Sequence, residues 1–387
     1  MKPNIIHCIV VCLWAFALPF MVACSSQEES LPEVESTLMA IFTLDLGDSE
    51  AYRTTRSTPS DGEYASGNGL ENYIDFPGRD FRCYLFGKDN AFISTLEVVG
   101  IFSFGDDGNK HQIRFRLKDT EEVKNALTGG CRFVFLANWG SYGDPTSGMT
   151  IEELCSSSYA RFDFSQENTV LSDNNLVPMY GVKEFEDGVP DFKAGKDISD
   201  IGILHLLRAF AKVDVNIGFE DFEETPVITS VSLTHSSDKG FKAPANVTKQ
   251  SDYVTGSWFT DYTSVNIPDD AGDIELALNK DDNTGHYVAY VPEYRNVDDK
   301  KEPLGNRSQI RVCFNVADYT FEGYVDFRYS DTPAVGGVTP GEHFDIARNN
   351  WYKFSVSAKA KDLDWTVDVI PFTSVDLIPD FGLDITH

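Results

Sequence analysis

Residues 38–46 read LMAIFTLDL. Leu38, Ala40, Phe42, Leu44 and Leu46 alternate with Met39, Ile41, Thr43 and Asp45, so an extended chain carries five apolar side chains on one face. A helix would scatter the same residues around its axis, and the period of two commits the stretch to a strand. Similar apolar runs recur as HQIRFRL, CRFVFLAN, LVPMYGV, ILHLLRAFAKVDVNIGF, VITSVSLTH, HYVAYVPEY, SQIRVCFNV, YTFEGYVDFRYS, NNWYKFSVSAKA and LDWTVDVIPF. Turn clusters such as DDGN, SYGDPTSG and DDNTG separate them. With 28 Phe and 16 Tyr, residues that suit a pleated half-buried surface, the expected fold class is all-β. One short helix is expected at TIEEL, where Thr150 and Glu153 have capping-box spacing. Repeats and low-complexity tracts are absent.

The 387 residues exceed one ordinary core, so two domains of roughly 100–200 residues are expected. The polar stretch AGKDISDIG, near residues 194–202, is the expected boundary. Lys and Arg total 32 against 61 Asp and Glu, a formal charge of −29. That excludes a general nucleic-acid binder, which needs positive charge to displace counterions.

At the N-terminus, MKPN supplies one cation and IIHCIVVCLWAFALPFMVA is an apolar core. Residues 1–23 have the layout of a secretory signal peptide; a retained membrane helix is the other reading of so long a run. Cys24, after the small Ala23, resembles the lipidated cysteine of a bacterial lipobox, although Met21 stands where Leu is usual. The QEES that follows resembles the export tag of Bacteroidetes surface lipoproteins. After the first strand comes AYRTTRSTPSDGEYASGNG, residues 51–69, a polar segment that carries Arg53 and Arg56. About thirty residues separate the first strand from the next, at Phe81, Cys83 and Leu85, and loops of that length are usually functional or disordered.

Catalytic and metal signatures are weak. There is no GxSxG, HExxH, GxxxxGK[ST] or GxGxxG, and the chain is expected to be no enzyme and to hold no cofactor. His111, His205, His235, His286 and His343 lack metal-ligand spacing, and His205, within ILHLL, reads as a core or edge histidine. The acid pairs Asp106–Asp107 and Asp281–Asp282 read as solvated turn charges. Cys83, Cys131, Cys155 and Cys313 contain no CxxC. Small buried thiols are the expectation at Cys83, Cys131 and Cys313, with a Cys83–Cys131 bridge as the other reading in an oxidising periplasm. Two rival function classes stay open. A glycan-binding surface lipoprotein would need an exposed aromatic platform, for which Trp139 and Trp258 are candidates. A secreted β-sandwich hydrolase would need paired carboxylates brought together by the fold.

At the C-terminus Trp365, Val367 and Val369 form one alternating run, and Phe381, Leu383 and Ile385 form another, interleaved with Gly382, Asp384 and Thr386. With the lipobox cysteine, the short acidic spacer, the first strand and the arginines beyond it, this layout resembles the fimbrillins of Bacteroidetes, subunits of protease-processed (type V) pili. CRFVFLANWG resembles the family's strand ending in an Ala-Asn turn, and LVPMYG its Pro-Met-x-Gly strand. LLRAFAKVDVNI resembles the Arg-x-x-Ala strand that opens the second domain, and IARNNWYKFSVSA the late Arg-Asn-x-x-Tyr strand. Loops and residues 236–284 have no match.

The resemblance implies two transthyretin-like β-sandwich domains in tandem. Residues 1–23 would be the lipoprotein signal peptide and 24–56 a propeptide with the first strand. Residues 57–200 would form the N-terminal sandwich, and 201–387 the C-terminal sandwich with its donor tail. It implies export to the outer membrane through lipid on Cys24, cleavage by an Arg-specific protease after Arg56 or Arg53, and loss of the strand bearing Leu38, Ala40, Phe42, Leu44 and Leu46. A C-terminal strand of a neighbouring subunit, with Phe381, Leu383 and Ile385, would replace it. The implied partners are other pilin subunits, including tip and anchor, and the implied location is a cell-surface fimbrium that supports adhesion. Two cleavable arginines argue against an anchor, and the long tail favours a shaft or adaptor over a tip.

Overall fold

The computed structural model describes residues 38–45, 73–75, 80–104, 110–140, 144–172, 174–193, 205–220, 222–255, 258–259, 264–281, 285–329, 339–359, 362–371 and 375–376. Its first strands are β1 (Leu38–Asp45), β2 (Phe81–Gly87), β3 (Phe92–Phe104), β4 (Lys110–Leu117), β5 (Cys131–Ala137), β6 (Arg161–Asp163), β7 (Met179–Phe185) and β8 (His205–Arg208). Then follow β9 (Ala211–Glu220), β10 (Val227–Ser237), β11 (Lys239–Phe241), β12 (Val254–Thr255), β13 (Trp258–Phe259), β14 (Asp273–Ala277) and β15 (Asn279–Lys280). The last are β16 (His286–Val291), β17 (Gln309–Val316), β18 (Tyr319–Asp326), β19 (Asn350–Lys359), β20 (Asp362–Pro371) and β21 (Val375–Asp376). Two helices matter to the packing, α1 (Glu121–Gly129) and α2 (Ile151–Ser156). The chain is all-β in class.

An eight-stranded sheet has the order β1-β4-β3-β2-β5-β7-β8-β21 and is antiparallel throughout. Both of its faces are covered at the centre, which is why β5 is buried at every residue and CRFVFLA reads as a nearly continuous apolar run. Phe133 and Phe135 enter one core with Ile113 and Phe115 of β4 and Val123 and Leu127 of α1. Val134 and Leu136 enter the other with Tyr84, Tyr180, Ile151 and Leu154. Ala243, Val247 and Tyr253 complete that second face. The stretch 236–284, which matches no family motif, thus supplies part of the cover of a sheet formed chiefly by earlier residues.

Capping fixes both helices. Thr120 accepts from the Val123 amide at the start of α1, and Thr150 and Glu153 form the expected reciprocal box at the start of α2. α1 is not among the expected elements, although Val123, Ala126 and Leu127 have helical spacing behind a Thr cap. Nor is β3, whose register shifts between Val98 and Gly100. Such a bulge changes the phase of the alternation and hides a strand from a period-two reading.

A four-stranded sheet, β14-β10-β17-β18, and a five-stranded sheet, β15-β16-β9-β19-β20, enclose a separate core. Val213, Val215 and Ile217 of β9 meet Val231 and Leu233 of β10, Val312 and Phe314 of β17, and Phe354 and Val356 of β19. Only β9 and β19 among these strands pair in parallel.

ILHLLRAFAKVDVNIGF, expected as one strand, is two. Arg208 ends β8 in the eight-stranded sheet and Ala211 opens β9 in the five-stranded one. The break is held by side chains from late in the chain. Asn349, at φ 57°, accepts at Oδ1 from the Arg208 amide at 3.2 Å and from Arg208 Nη1 at 3.1 Å. The Asn349 amide donates to the Phe210 carbonyl at 3.0 Å. Beside it, Arg348 and Glu293 form an ion pair at 2.6 Å whose side chains are 0% and 2% exposed. Arg348 also donates to the carbonyls of Phe241 and Lys242, and Glu293 accepts from the amides of Arg348 and Asn266. Tyr352 Oη accepts from the Ala347 amide and donates to the Asp345 carbonyl. The Arg-x-x-Ala and Arg-Asn-x-x-Tyr motifs are therefore one polar joint between the two sheet systems.

Removing one member of a buried ion pair strands the other charge, at a cost of about 3–5 kcal/mol. Glu293→Gln is expected to lower the urea midpoint by that equivalent with an unchanged slope. Glu97→Gln, which breaks the exposed pair with Arg116, should shift it little.

Candidate functional site

β1 stands at one end of the eight-stranded order and pairs with β4 alone. The register runs without a break: Leu38 lies opposite Leu117, Ala40 opposite Phe115, Phe42 opposite Ile113, Leu44 opposite His111 and Asp45 opposite Lys110. Directly opposed residues of an antiparallel pair share a face of the sheet. Ile113 and Phe115 are 0% exposed and Leu117 is 3% exposed. Behind them Phe115, Phe81 and Phe135 form a ring cluster with centroids 6.1–6.2 Å apart. The apolar period of β1 is thus in phase with the buried positions of its one neighbour, as the sequence alternation requires. A single hydrogen-bonded neighbour holds β1, where the central strands have two, and β21 lies near it without pairing.

The structure places Leu38, Ala40, Phe42 and Leu44 on β1. Leu46, Cys24, Arg53, Arg56, Phe381, Leu383 and Ile385 lie outside the described residues, as does the expected boundary near 194–202. The other C-terminal run is accounted for. Trp365, Val367 and Val369 belong to β20, opposite Val356, Phe354 and Tyr352 in a ten-residue ladder with β19. At the far end of the eight-stranded order, Val375 and Asp376 of β21 pair with Leu206 and His205 of β8.

Other candidates resolve into structural roles. Trp139, proposed as half of a glycan platform, is 2% exposed and donates its indole N–H to the Met179 carbonyl at 2.9 Å. Its apolar bulk is better satisfied under the covering layer than in solvent, so it offers no platform. The Trp258 side chain lies outside the described residues. His205 is buried in β8, and His286 sits between Asp214 at 2.6 Å and Asp281 at 3.2 Å. A cleft of about 240 Å³ is lined by Ser264, Val265, Arg295, Val297, Asp298, Asp299, Lys301 and Asp345. Asp298 and Asp345 are occupied there by backbone amides, and the volume is below the usual range for ligand pockets. Among the described residues, no three His, Cys, Asp or Glu side chains group to hold a metal.

Cys83, Cys131, Cys155 and Cys313 are free thiols. Cys83 faces Phe135 and Cys131 faces Gly87, four residues apart along adjacent strands, about 13 Å and beyond disulfide reach. Burial pushes the Cys83 thiol well above its ordinary range, and those of Cys131 and Cys155 up to about 12. Cys313, expected to be buried, is only half-buried, because it lies on the solvent side of β17 while Val312 and Phe314 take the core side.

The fold defines an all-β protein of packed sheets with its first strand at a sheet end. Among solved structures, it resembles the tip fimbrial protein Mfa3 of Porphyromonas gingivalis with C-terminal truncation, at 14% identity and TM-score 0.49 over 87% of this chain and 100% of that one. It also resembles a fimbrilin (fimA) of Porphyromonas gingivalis, at 14% identity and TM-score 0.48 over 88% and 99%. A third is a fimbrial assembly protein of Parabacteroides distasonis, at 12% identity and TM-score 0.43 over 86% and 98%. No family model matches the sequence, and no curated protein matches it.

Thiol reactivity checks the burial pattern. In the native chain without residues 1–24, a thiol reagent at pH 8 is expected to label Cys313 alone, and Cys313→Ser to abolish the signal. Denaturant should release all four thiols.

Proposed function

We propose that this chain is a structural subunit of a surface fimbrium, exported as a lipoprotein, cut after Arg53 or Arg56 and assembled by strand exchange. The observation that carries the reading is the β1–β4 ladder. A terminal strand has its apolar period in register with the buried positions of its single neighbour, and its sequence continues into a polar segment with two arginines. A protease specific for Arg needs an extended substrate and a long cation for an acidic pocket, and RTTRSTPSDG supplies both.

Cleavage there would free β1 and leave the inner side of β4 without cover. Leu38, Phe42, Leu44 and Leu46, at roughly 1.5–3 kcal/mol each, amount to about 6–12 kcal/mol, comparable with the stability of a whole domain. A bare edge beside an empty apolar groove invites aggregation unless another strand occupies it. Main-chain pairing with alternate side-chain pockets is the general mode of strand addition. The engagement of Trp365, Val367 and Val369 in β20 supports residues beyond Pro371 as the donor. The role is structural, with adhesion exerted by the assembled fibre at the cell surface. The chain fits a shaft or adaptor, which receives one strand and donates another.

Limited trypsin digestion of residues 25–387, followed by mass spectrometry and native sizing, tests the reading. Cleavage confined to Arg53 or Arg56 and a ladder of oligomers are expected. Both should be lost in Arg53→Ala/Arg56→Ala, and the ladder alone on deletion after Pro371. A cut chain that stays monomeric with its first strand bound would overturn it.

A further inference from the structure

The cleft of about 240 Å³ lies beside the joint of Arg348 and Glu293, lined by the loop that follows Tyr294 and by Asp345, with Tyr294 bridged to Ile346. Two of its lining groups are cations. Elsewhere Arg116, Arg132, Arg161, Arg307, Arg311 and Arg348 each meet a carboxylate. Arg295, exposed in the cleft, meets none among the described residues, and neither does Lys301. Lys301 also stands at φ 66°, a left-handed conformation that glycine adopts freely and other residues rarely.

Two carboxylates of the cleft are turned to backbone amides. Asp345 Oδ1 accepts from the amides of Asn296 at 2.7 Å and Val297 at 3.1 Å. Asp298 Oδ1 accepts from those of Lys300 at 2.8 Å and Glu302 at 2.9 Å. The second oxygen of each has no hydrogen-bond partner among the described residues. The same bonds hold the loop, which is closed further by the Asp298 amide on the Glu302 carbonyl and the Lys301 amide on the Asp298 carbonyl. Asn296 ties its base to the Phe344 carbonyl and the Ser308 amide. A site already held in place loses little freedom when it is filled.

We propose that this cleft binds a single acidic sugar residue of a glycan. Its carboxylate would face Arg295 and Lys301, and its hydroxyls would donate to the open oxygens of Asp298 and Asp345 and to Asp299. The mixture of charges selects this class. A phosphate or sulfate would find the cations but would also oppose three carboxylates. Sugar hydroxyls are donors, and an ionised carboxylate can only accept. The volume is too small for an extended ligand and leaves room for one ring. No aromatic side chain lines the cleft among the described residues, so recognition rests on charge and hydroxyls rather than on stacking. The proposal does not depend on cleavage or strand exchange, because the site is complete in one uncut chain. A weak site repeated along a fibre would gain strength by avidity.

Saturation-transfer NMR on uncut residues 25–387 tests the assignment, with methyl glucuronide, methyl glucoside and a tri-glutamate peptide as probes. The glucuronide is expected to bind with a Kd of about 1 mM, as suits one ring in an exposed site. The glucoside should bind roughly tenfold more weakly, because charge-assisted hydrogen bonds are lost. Arg295→Gln and Lys301→Gly should each weaken the glucuronide about tenfold without lowering the urea midpoint, since Arg295 is exposed and glycine suits the backbone at 301. Arg295→Lys should keep part of the binding. Equal binding of glucuronide and glucoside would overturn the role of the cations. Tighter binding of the peptide would overturn a sugar as the ligand. Glucuronide binding unchanged in both variants, or none from the parent chain at about ten times the expected Kd, would overturn the site. None of these outcomes touches the strand-exchange reading, which the trypsin digestion tests separately.

Discussion

The buried pair of Arg348 and Glu293 is the constraint around which the molecule is arranged. Two charges with almost no solvent contact are tolerable when hydrogen bonds supplement their attraction. Arg348 reaches the carbonyls of Phe241 and Lys242, Glu293 accepts from the amides of Asn266 and Arg348, and the adjoining Asn349 accepts from Arg208, while the Arg348 Nε is left without a hydrogen-bond partner. The sheet containing β8 and the sheet containing β9 are thereby fixed to each other at the point where the backbone passes between them. An apolar joint of the same size would be satisfied by many packings, whereas this one demands a single arrangement of carbonyls around a guanidinium.

Much of this was legible in the sequence and some of it was not. β1 announced itself because its apolar residues recur at every second position, in register with the buried positions of β4. β5 was recognisable for the opposite reason, since burial on both faces leaves an unbroken apolar run. β3 was lost to a bulge between Val98 and Gly100, and the junction at Ala209–Phe210 to an apolar sequence that continues through the break without a turn residue. Trp139 looked like a loop aromatic because local sequence carries no record of α2 and residues 243–253, which close over that side of the sheet from far along the chain. Cys313 illustrates the same limit, since a strand pattern shows that faces alternate but not which face is wet. The arginines of the two motifs were visible as motif letters, yet their partners lie between 55 and 141 residues away along the chain.

The candidate site shows a similar division. Period and phase could be read from residues 38–46, and the ladder with β4 supplied what sequence lacks, the identity of the residues opposite. A run of leucines would fit any register, whereas the small Ala40 opposite Phe115 and the Asp45 carboxylate opposite Lys110 favour one.

The ten-residue ladder of β19 and β20 has a mechanical consequence. If the chain beyond Asp376 is held by another molecule, tension on it meets first the two-residue pairing of β21 with β8 and then β20. A pull along the strand loads all of the ladder's hydrogen bonds in parallel, and none can yield before the others. β19 passes that load sideways to β9 and, at its near end, directly to Asn349 and Arg348. The residues that set the angle between the sheets would then also carry force through the molecule, and a subunit built this way would resist stretching along its strands far better than bending across them.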